Sequence, residues 1–168
     1  WFWDGVRFEV LHPTLDDTER RDRLAPNAMS CVLRVSTSGA EPRSVLLTGD
    51  IEAAQERALL ARAPTPGVTL RSTVLIAPHH GSQTSSTQEF LEAVQPEQTL
   101  VQVGRRNRYG HPAPTVLARY QGLGLPVMAP PACGAWLWRS DEWSRTPSSN
   151  LHGADPPSLV LGQCWRTV

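Results

Sequence analysis

The chain contains no lysine: all 16 of its basic residues are arginine. Sixteen acidic residues balance them, so the formal net charge is zero and no global field draws the chain toward a polyanion. An arginine-only set reads first as genomic base composition, although arginine also suits bidentate phosphate contacts. Cysteine is scarce. Cys31, Cys133 and Cys164 form no CxxC pair, which supports neither a disulfide framework nor a cysteine zinc site. Cys31 sits in an apolar stretch and reads as an inert core residue. No apolar run approaches the roughly 20 residues of a membrane span, and no signal peptide is evident. The opening Trp1-Phe2-Trp3-Asp4-Gly5 reads as the interior of a longer protein, so the chain is expected to be a fragment. At 168 residues it fits one domain with a real core.

What is present is a mixed pattern. Trp1 to Leu11 alternates apolar and polar residues around an Asp4-Gly5 turn, the mark of a half-buried strand. The charged run Asp16 to Arg23 reads as a solvated loop or short helical turn. Strands are expected at Cys31–Val35 and Ser44–Thr48, joined by a hairpin loop from Thr37 to Arg43. Ile51 to Arg62 reads as a helix with Ile51, Ala54, Ala58 and Leu59 on one face, ended by Pro64 and Pro66. Thr73–Ala77 is a short β-branched run bounded by Pro78, hence a buried strand. Ser86-Thr87-Gln88-Glu89 reads as a capping box that opens a helix carrying Phe90, Leu91 and Val94. A strand at Thr99–Val103, a helix at Pro114–Gln121 and strands at Leu125–Met128 and Ala135–Trp138 follow. From Asp141 on, Ser, Pro, Asn and Gly dominate, which divides the chain into an ordered 1–140 and a loose tail, 141–168. Periodicity and order thus give a mixed α/β chain whose helices return to one sheet.

Two strand ends carry chemistry. Ser44–Thr48 runs into Gly49-Asp50, and Thr73–Ala77 runs into Pro78-His79-His80-Gly81 followed by a cluster of hydroxyls. If the two strands neighbour one another, a carboxylate and an imidazole meet at one sheet edge, a rigid mount for a metal. For Asp50 the competing reading is a helix N-cap. For Ser82, Thr84, Ser85 and Ser86 it is capping, against phosphate binding at a helix N-terminus. Extended backbone would point His79 and His80 to opposite faces, so only one of them would ligate a given ion. Gly104 to Pro112 gathers Arg105, Arg106, Asn107, Arg108, Tyr109 and His111 in one loop. It reads either as an ordinary arginine-rich surface or as a grip on a nucleic-acid backbone with a ring to stack a base. His12 and His152 lack such a setting.

Three segments together resemble the distal half of a metallo-β-lactamase-fold hydrolase: Leu46-Leu47-Thr48-Gly49-Asp50, His79-His80-Gly81-Ser82-Gln83-Thr84-Ser85, and Val103 to Pro112. More narrowly they resemble the hydrolase domain of ComEC-type DNA-uptake channels, inner-membrane proteins of natural transformation. The resemblance runs from about Trp1 to Arg139. It implies a four-layer αββα sandwich, of which this chain supplies mainly the second half. It also implies two divalent ions, zinc or manganese, with Asp50 bridging them and His80, beside Gly81, as a further metal ligand. His79, His111 and Asn107 would attend the reacting phosphate. Ser82, Thr84, Arg105, Arg108 and Tyr109 would hold the substrate. The implied reaction is hydrolysis of the DNA strand that is not transported. The implied partners are single-stranded DNA, a membrane channel on the same polypeptide and the competence proteins that deliver DNA. The whole protein would lie in the inner membrane, with this part a soluble extramembrane domain.

One motif departs. The fold's His-x-His-x-Asp-His segment occurs nowhere in these residues, and each zinc wants about four ligands. The chain alone is therefore expected to be inactive. Two other readings stay open: a hydrolase of the same fold acting on small esters or phosphoesters, or a degenerate DNA-binding or structural domain without catalysis.

Overall fold

A computed structural model describes residues 1–63, 65–104, 106–128, 135–141 and 163–165. The chain opens on a tight hairpin. β1 (Phe2–Trp3) pairs with β2 (Val6–His12), and the turn residues Asp4 and Gly5 take φ of 48° and 76°. Two successive positive φ values are what a two-residue turn between twisted strands requires. The charged run becomes α1 (Leu15–Glu19), which Thr14 and Asp17 open with a reciprocal capping box, and a 3₁₀ turn at Arg21–Arg23.

β3 (Val32–Thr37) pairs antiparallel with β2 and with β4 (Ser44–Leu47). The remaining strands run parallel to β4: β5 (Val74–Ile76), β6 (Gln98–Leu100) and β7 (Val127–Met128). All seven lie side by side in sequence order. Parallel neighbours need crossovers. Here these are α2 (Ala53–Arg62), α3 (Gln88–Val94) and α4 (Pro114–Gly122). This connectivity brings the C-terminal ends of β4, β5 and β6 to one edge of the sheet, where loops of α/β proteins gather their sites. β8 (Ala135–Leu137) and β9 (Gln163–Trp165) pair separately as a two-stranded sheet. The rest of the expected tail lies outside the described residues. Among the described residues no helix is long and apolar enough to cross a membrane.

The two sheet faces differ. Val32, Leu46 and Leu75 share one face by register and are fully buried against Ile51, Leu59, Phe90, Leu91, Val94, Val116 and Tyr120 from the helical side. The other face carries Phe8, Val10, Leu33, Val35, Val45, Leu47, Val74, Ile76 and Leu100. Of these, Val10 is 54 % and Leu47 38 % exposed, Val74 and Leu100 are buried, and the rest are half-buried, so this face is open mainly over β2 to β4.

Three sequence expectations change. Cys31 is exposed rather than in the core: the strand begins at Val32, which takes the buried position, and alternation turns its neighbour away. On α2 the buried positions are Glu56 and Leu59, whereas Ala54 and Ala58 face solvent. The capping box expected at Ser86–Glu89 does not form. The Thr87 side chain makes no cap bond of its own. Instead the Glu56 carboxylate accepts from Ser86 N (2.6 Å), Thr87 N (2.8 Å) and Thr87 Oγ1 (2.6 Å). A side chain from α2 thus satisfies the orphan N–H groups of α3. Arg119 donates to the Ser85 and Ser86 carbonyls, and the Tyr120 hydroxyl lies 3.2 Å from Ser86 Oγ. Burial still dominates at Glu56 and raises its carboxyl above the ordinary range.

Candidate active site

β4 ends at Leu47, and the chain turns through Gly49, whose φ of 55° suits a glycine. A Cβ there would stand 3.0 Å from Ser30 Cβ, so the turn packs tightly on that residue. Ser30 Oγ accepts from Asp50 N (3.1 Å), which fixes the aspartate backbone. Asp50 is not the cap of α2. Glu52 holds that position, with its N–H bonded to Gln55 Oε1 at 3.3 Å, so Asp50 keeps its carboxylate free of helix capping.

β5 ends in the Pro78–Gly81 turn. His79 (φ 48°) and His80 (φ 55°) both adopt left-handed backbone, followed by Gly81 at φ 77°. Two consecutive non-glycine residues in that region are strained, and such strain persists where the surroundings over-determine it. Here His79 N donates to Gly49 O (3.0 Å), tying the two strand-end loops together, and Ser82 N closes back on His79 O (2.9 Å). Gly81 fits where no side chain could: a Cβ would approach Pro112 Cβ to 2.7 Å, and its carbonyl accepts from Ala113 N at 2.8 Å. The loop after β6 is therefore clipped onto the histidine turn.

The histidines diverge, as alternation also suggested, but through left-handed turns rather than extended backbone. His80 Nε2 lies 3.4 Å from Asp50 Oδ1, while its Nδ1 is 2.6 Å from the carbonyl of Gln102. A carbonyl can only accept, so Nδ1 carries the proton. In the neutral ring Nε2 then presents its lone pair toward the carboxylate. Two acceptors facing each other need a cation between them, either a proton or a metal ion. Two donors on one tetrahedral zinc, with bonds of about 2.0–2.1 Å, stand about 3.4 Å apart. Asp50 and His80 could thus hold two positions of a metal site, with Gln102 orienting the imidazole as outer partners commonly do. They line a shallow open depression with Leu47, Thr48, Gly49, Ile76, Ala77 and Gln102. No group of three or more His, Cys, Asp or Glu that could hold a metal occurs among the described residues.

His79 turns to the other side. Its Nδ1 is 3.3 Å from Glu52 Oε1 and 3.5 Å from Thr84 Oγ1, and Asn27 Nδ2 donates to the same Glu52 oxygen at 3.3 Å. Its ring meets His111 edge-on, with centroids 6.0 Å apart. His111 stays neutral to lower pH than an ordinary histidine: burial depresses its pKa first, then positive charge on His79 and His80. Asn107 grips His111 through both backbone groups, donating to its carbonyl and accepting from its N–H, each at 2.8 Å. Its amide therefore shapes the loop rather than facing a ligand. Tyr109 stacks on His111 at 5.9 Å and is 68 % exposed, with Arg108 Nη2 2.9 Å from its hydroxyl. Arg105 lies outside the described residues. Ser82 is buried, and its hydroxyl is shared with Thr84 Oγ1 at 3.1 Å.

The structure thus brings Asp50, His79, His80, Thr84, Asn107, Tyr109 and His111 to one edge. Sequence reasoning missed Glu52, Gln102 and Glu56. Glu52 was legible as the second carboxylate in Asp50-Ile51-Glu52. Gln102 acts through its backbone, which no side-chain pattern reveals. Of the residues that sequence reasoning left without a role, His12 is buried, 2.7 Å from the Ala28 carbonyl and 3.4 Å from Asp17 Oδ2, a structural pairing.

No protein-family model matches the chain. Among individual proteins, Competence protein ComA of Neisseria gonorrhoeae is 39 % identical over 135 residues, covering 80 % of this chain and 18 % of that protein. ComE operon protein 3 of Bacillus subtilis is 33 % identical over 123 residues, covering 73 % and 14 % respectively. Recombination protein 2 of Haemophilus influenzae is 37 % identical over 119 residues, covering 71 % and 13 %. The chain spans less than a fifth of each of these relatives, and their similarity supports a competence-related family for it.

Proposed function

We propose that the chain is the distal part of a metal-dependent phosphodiesterase domain in a DNA-uptake protein. The observation that carries this reading is the pairing of Asp50 Oδ1 with His80 Nε2 at 3.4 Å, the imidazole being oriented by the Gln102 carbonyl at 2.6 Å. A carboxylate and an imidazole at that separation suit zinc or manganese, and the remaining ligands would come from residues preceding Trp1 in the complete protein. A divalent ion pair at such a site supplies Lewis-acid polarisation of a phosphoryl group and a water made acidic enough to attack at neutral pH. This chain's own residues then hold and orient. His79 and His111 face the same edge and can hydrogen-bond the phosphate oxygens. Glu52 and Asn107 keep those two rings in place.

The architecture supports the same reading. A sheet with one helix-packed face and one apolar face that stays open over β2 to β4 suits half of a layered fold. A second sheet laid on Phe8, Val10, Leu33, Val35 and Leu47 would complete an αββα sandwich. In the whole protein the domain would be joined to a membrane channel and would degrade the strand that is not taken up.

The test is a titration of the chain with zinc or manganese, followed residue by residue in NMR spectra. Zinc should shift the His80 Nε2 and Asp50 carboxylate resonances weakly but selectively, and Asp50→Ala should remove the response. A zinc response confined to other residues would overturn the assignment.

A further inference from the structure

We infer that His12 is a positioning residue for the site. It holds the short turn that fixes Asp50 and Glu52, the two carboxylates that face His80 and His79. The inference rests on the phosphodiesterase reading and adds to it a residue, remote from the strand ends, that sets their geometry.

Three observations carry it. First, hydrophobic burial does not place the connection from β2 to β3. α1, the 3₁₀ turn at Arg21–Arg23 and a second 3₁₀ turn at Pro26–Met29 contain no buried residue, and none is buried from 13 to 31. A stretch with so little burial keeps its place through polar ties.

Second, His12 supplies such a tie in the middle of the second turn. It ends β2, is 2 % exposed, and places Nε2 2.7 Å from the Ala28 carbonyl. The carbonyl can only accept, so Nε2 donates. On the far side of the ring Asp17 Oδ2 stands 3.4 Å from Nδ1, and Thr14 holds that oxygen through its N–H (2.8 Å) and its hydroxyl (2.6 Å). The donor is buried, where the loss of a partner costs most.

Third, the residues on either side of Ala28 reach the site. Asn27 Nδ2 donates to Glu52 Oε1 at 3.3 Å, the oxygen that also lies 3.3 Å from His79 Nδ1. Ser30 Oγ accepts from Asp50 N at 3.1 Å, and Ser30 Cβ is the atom that a Cβ on Gly49 would meet at 3.0 Å. Ser30 N donates to Asn27 O at 3.1 Å, so both contacts belong to one small turn. His12 pins that turn between the two residues that each set one carboxylate. A shift of the turn therefore moves Asp50 against His80 and Glu52 against His79 together. Partners outside the ligands act in this way on orientation and metal affinity.

The test compares His12→Leu, which removes the donor, with His12→Gln, whose amide reaches the same carbonyl. Hydrogen exchange without metal is followed by NMR at the Asp50 amide, which Ser30 protects, and at the Leu46 amide inside β4. His12→Leu should speed exchange at Asp50 relative to Leu46 about fivefold, the equivalent of one net hydrogen bond, and His12→Gln should restore it. An Asp50 rate that does not move, or that rises only in step with Leu46, would overturn the inference and leave His12 a general stabiliser. Should His12→Leu fail to fold, His12→Asn, whose amide is one carbon too short for the carbonyl, takes its place in the comparison. Metal is read separately. In the complete protein His12→Leu should raise the zinc or manganese concentration needed for half-maximal cleavage about tenfold, the lower end for partners outside the ligands. An unchanged requirement would also overturn the inference. A complete wild-type protein that does not cleave would count against the phosphodiesterase reading, while the exchange rates still decide the role of His12.

Discussion

Gly81 is where the two loops of the site are locked together, and replacing it with alanine tests that lock. Two costs add. The backbone sits at φ 77°, where an L side chain crowds its own carbonyl at about 1–2 kcal/mol. The new methyl would also stand 2.7 Å from Pro112 Cβ and 3.2 Å from Pro112 Cα. Neither atom is the end of a flexible side chain, so the loop must shift as a unit, a form of overpacking that costs about 1–3 kcal/mol. Together Gly81→Ala should destabilise the chain by about 2–5 kcal/mol. For a chain of this length that lowers the melting temperature by roughly 2–4 °C per kcal/mol. Gly67→Ala isolates the first cost, since Gly67 has φ 88° and nothing within 4 Å of the added Cβ. Thermal melts of both variants by circular dichroism decide the matter. Equal losses for Gly81→Ala and Gly67→Ala would refute the idea that Pro112 rests on the histidine turn.

Glu56 carries the N-terminus of α3, and Glu56→Ala would strand two backbone N–H groups and the Thr87 hydroxyl; denaturant melts should show a loss of about 2–4 kcal/mol, and a loss under 1 kcal/mol would show that water replaces the carboxylate. Burial raises its folded-state pKa above the ordinary 4.5, so the proton is held more tightly folded than unfolded. Its contribution is then fully present below pH 4.5 and declines as pH rises through the folded value. The stability of wild type relative to Glu56→Gln should accordingly fall across that window, and a difference that grows with pH would contradict the burial argument. His111 should titrate below 6.5 in NMR spectra, because burial and the two neighbouring imidazoles disfavour its charge. Removing one of them in His79→Ala should move the midpoint upward, and an unmoved midpoint would place His79 farther from it.

The strands that carry the site were legible because short β-branched runs ending at Gly49-Asp50 and at Pro78-His79-His80-Gly81 advertise both a buried strand and its limit. Their adjacency was only a conditional expectation, since nothing local in Ser44–Thr48 names Thr73–Ala77 as its partner. The parallel pairing Val45↔Val74 and Leu46↔Leu75 supplies it. The helix cap was misread for a physical reason. Ser86-Thr87-Gln88-Glu89 has the local pattern, but a buried carboxylate from α2 wins the same N–H groups, and a contact thirty residues away leaves no local trace. Cys31 was misplaced by a single residue of register, which on a strand exchanges one face for the other. Left-handed His79 and His80 were invisible in advance, because their conformation is imposed by the Gly49 carbonyl and the Gly81–Pro112 contact rather than by histidine itself.

The complete protein gives the most direct test of whether Asp50 holds a metal that cleaves a DNA strand, as proposed. Wild type and Asp50→Asn should be purified with their upstream residues and given a labelled single strand with manganese or zinc. Metal-stimulated cleavage by wild type and its loss in Asp50→Asn, at equal melting temperature, are the expected result. Cleavage that survives Asp50→Asn undiminished would contradict it.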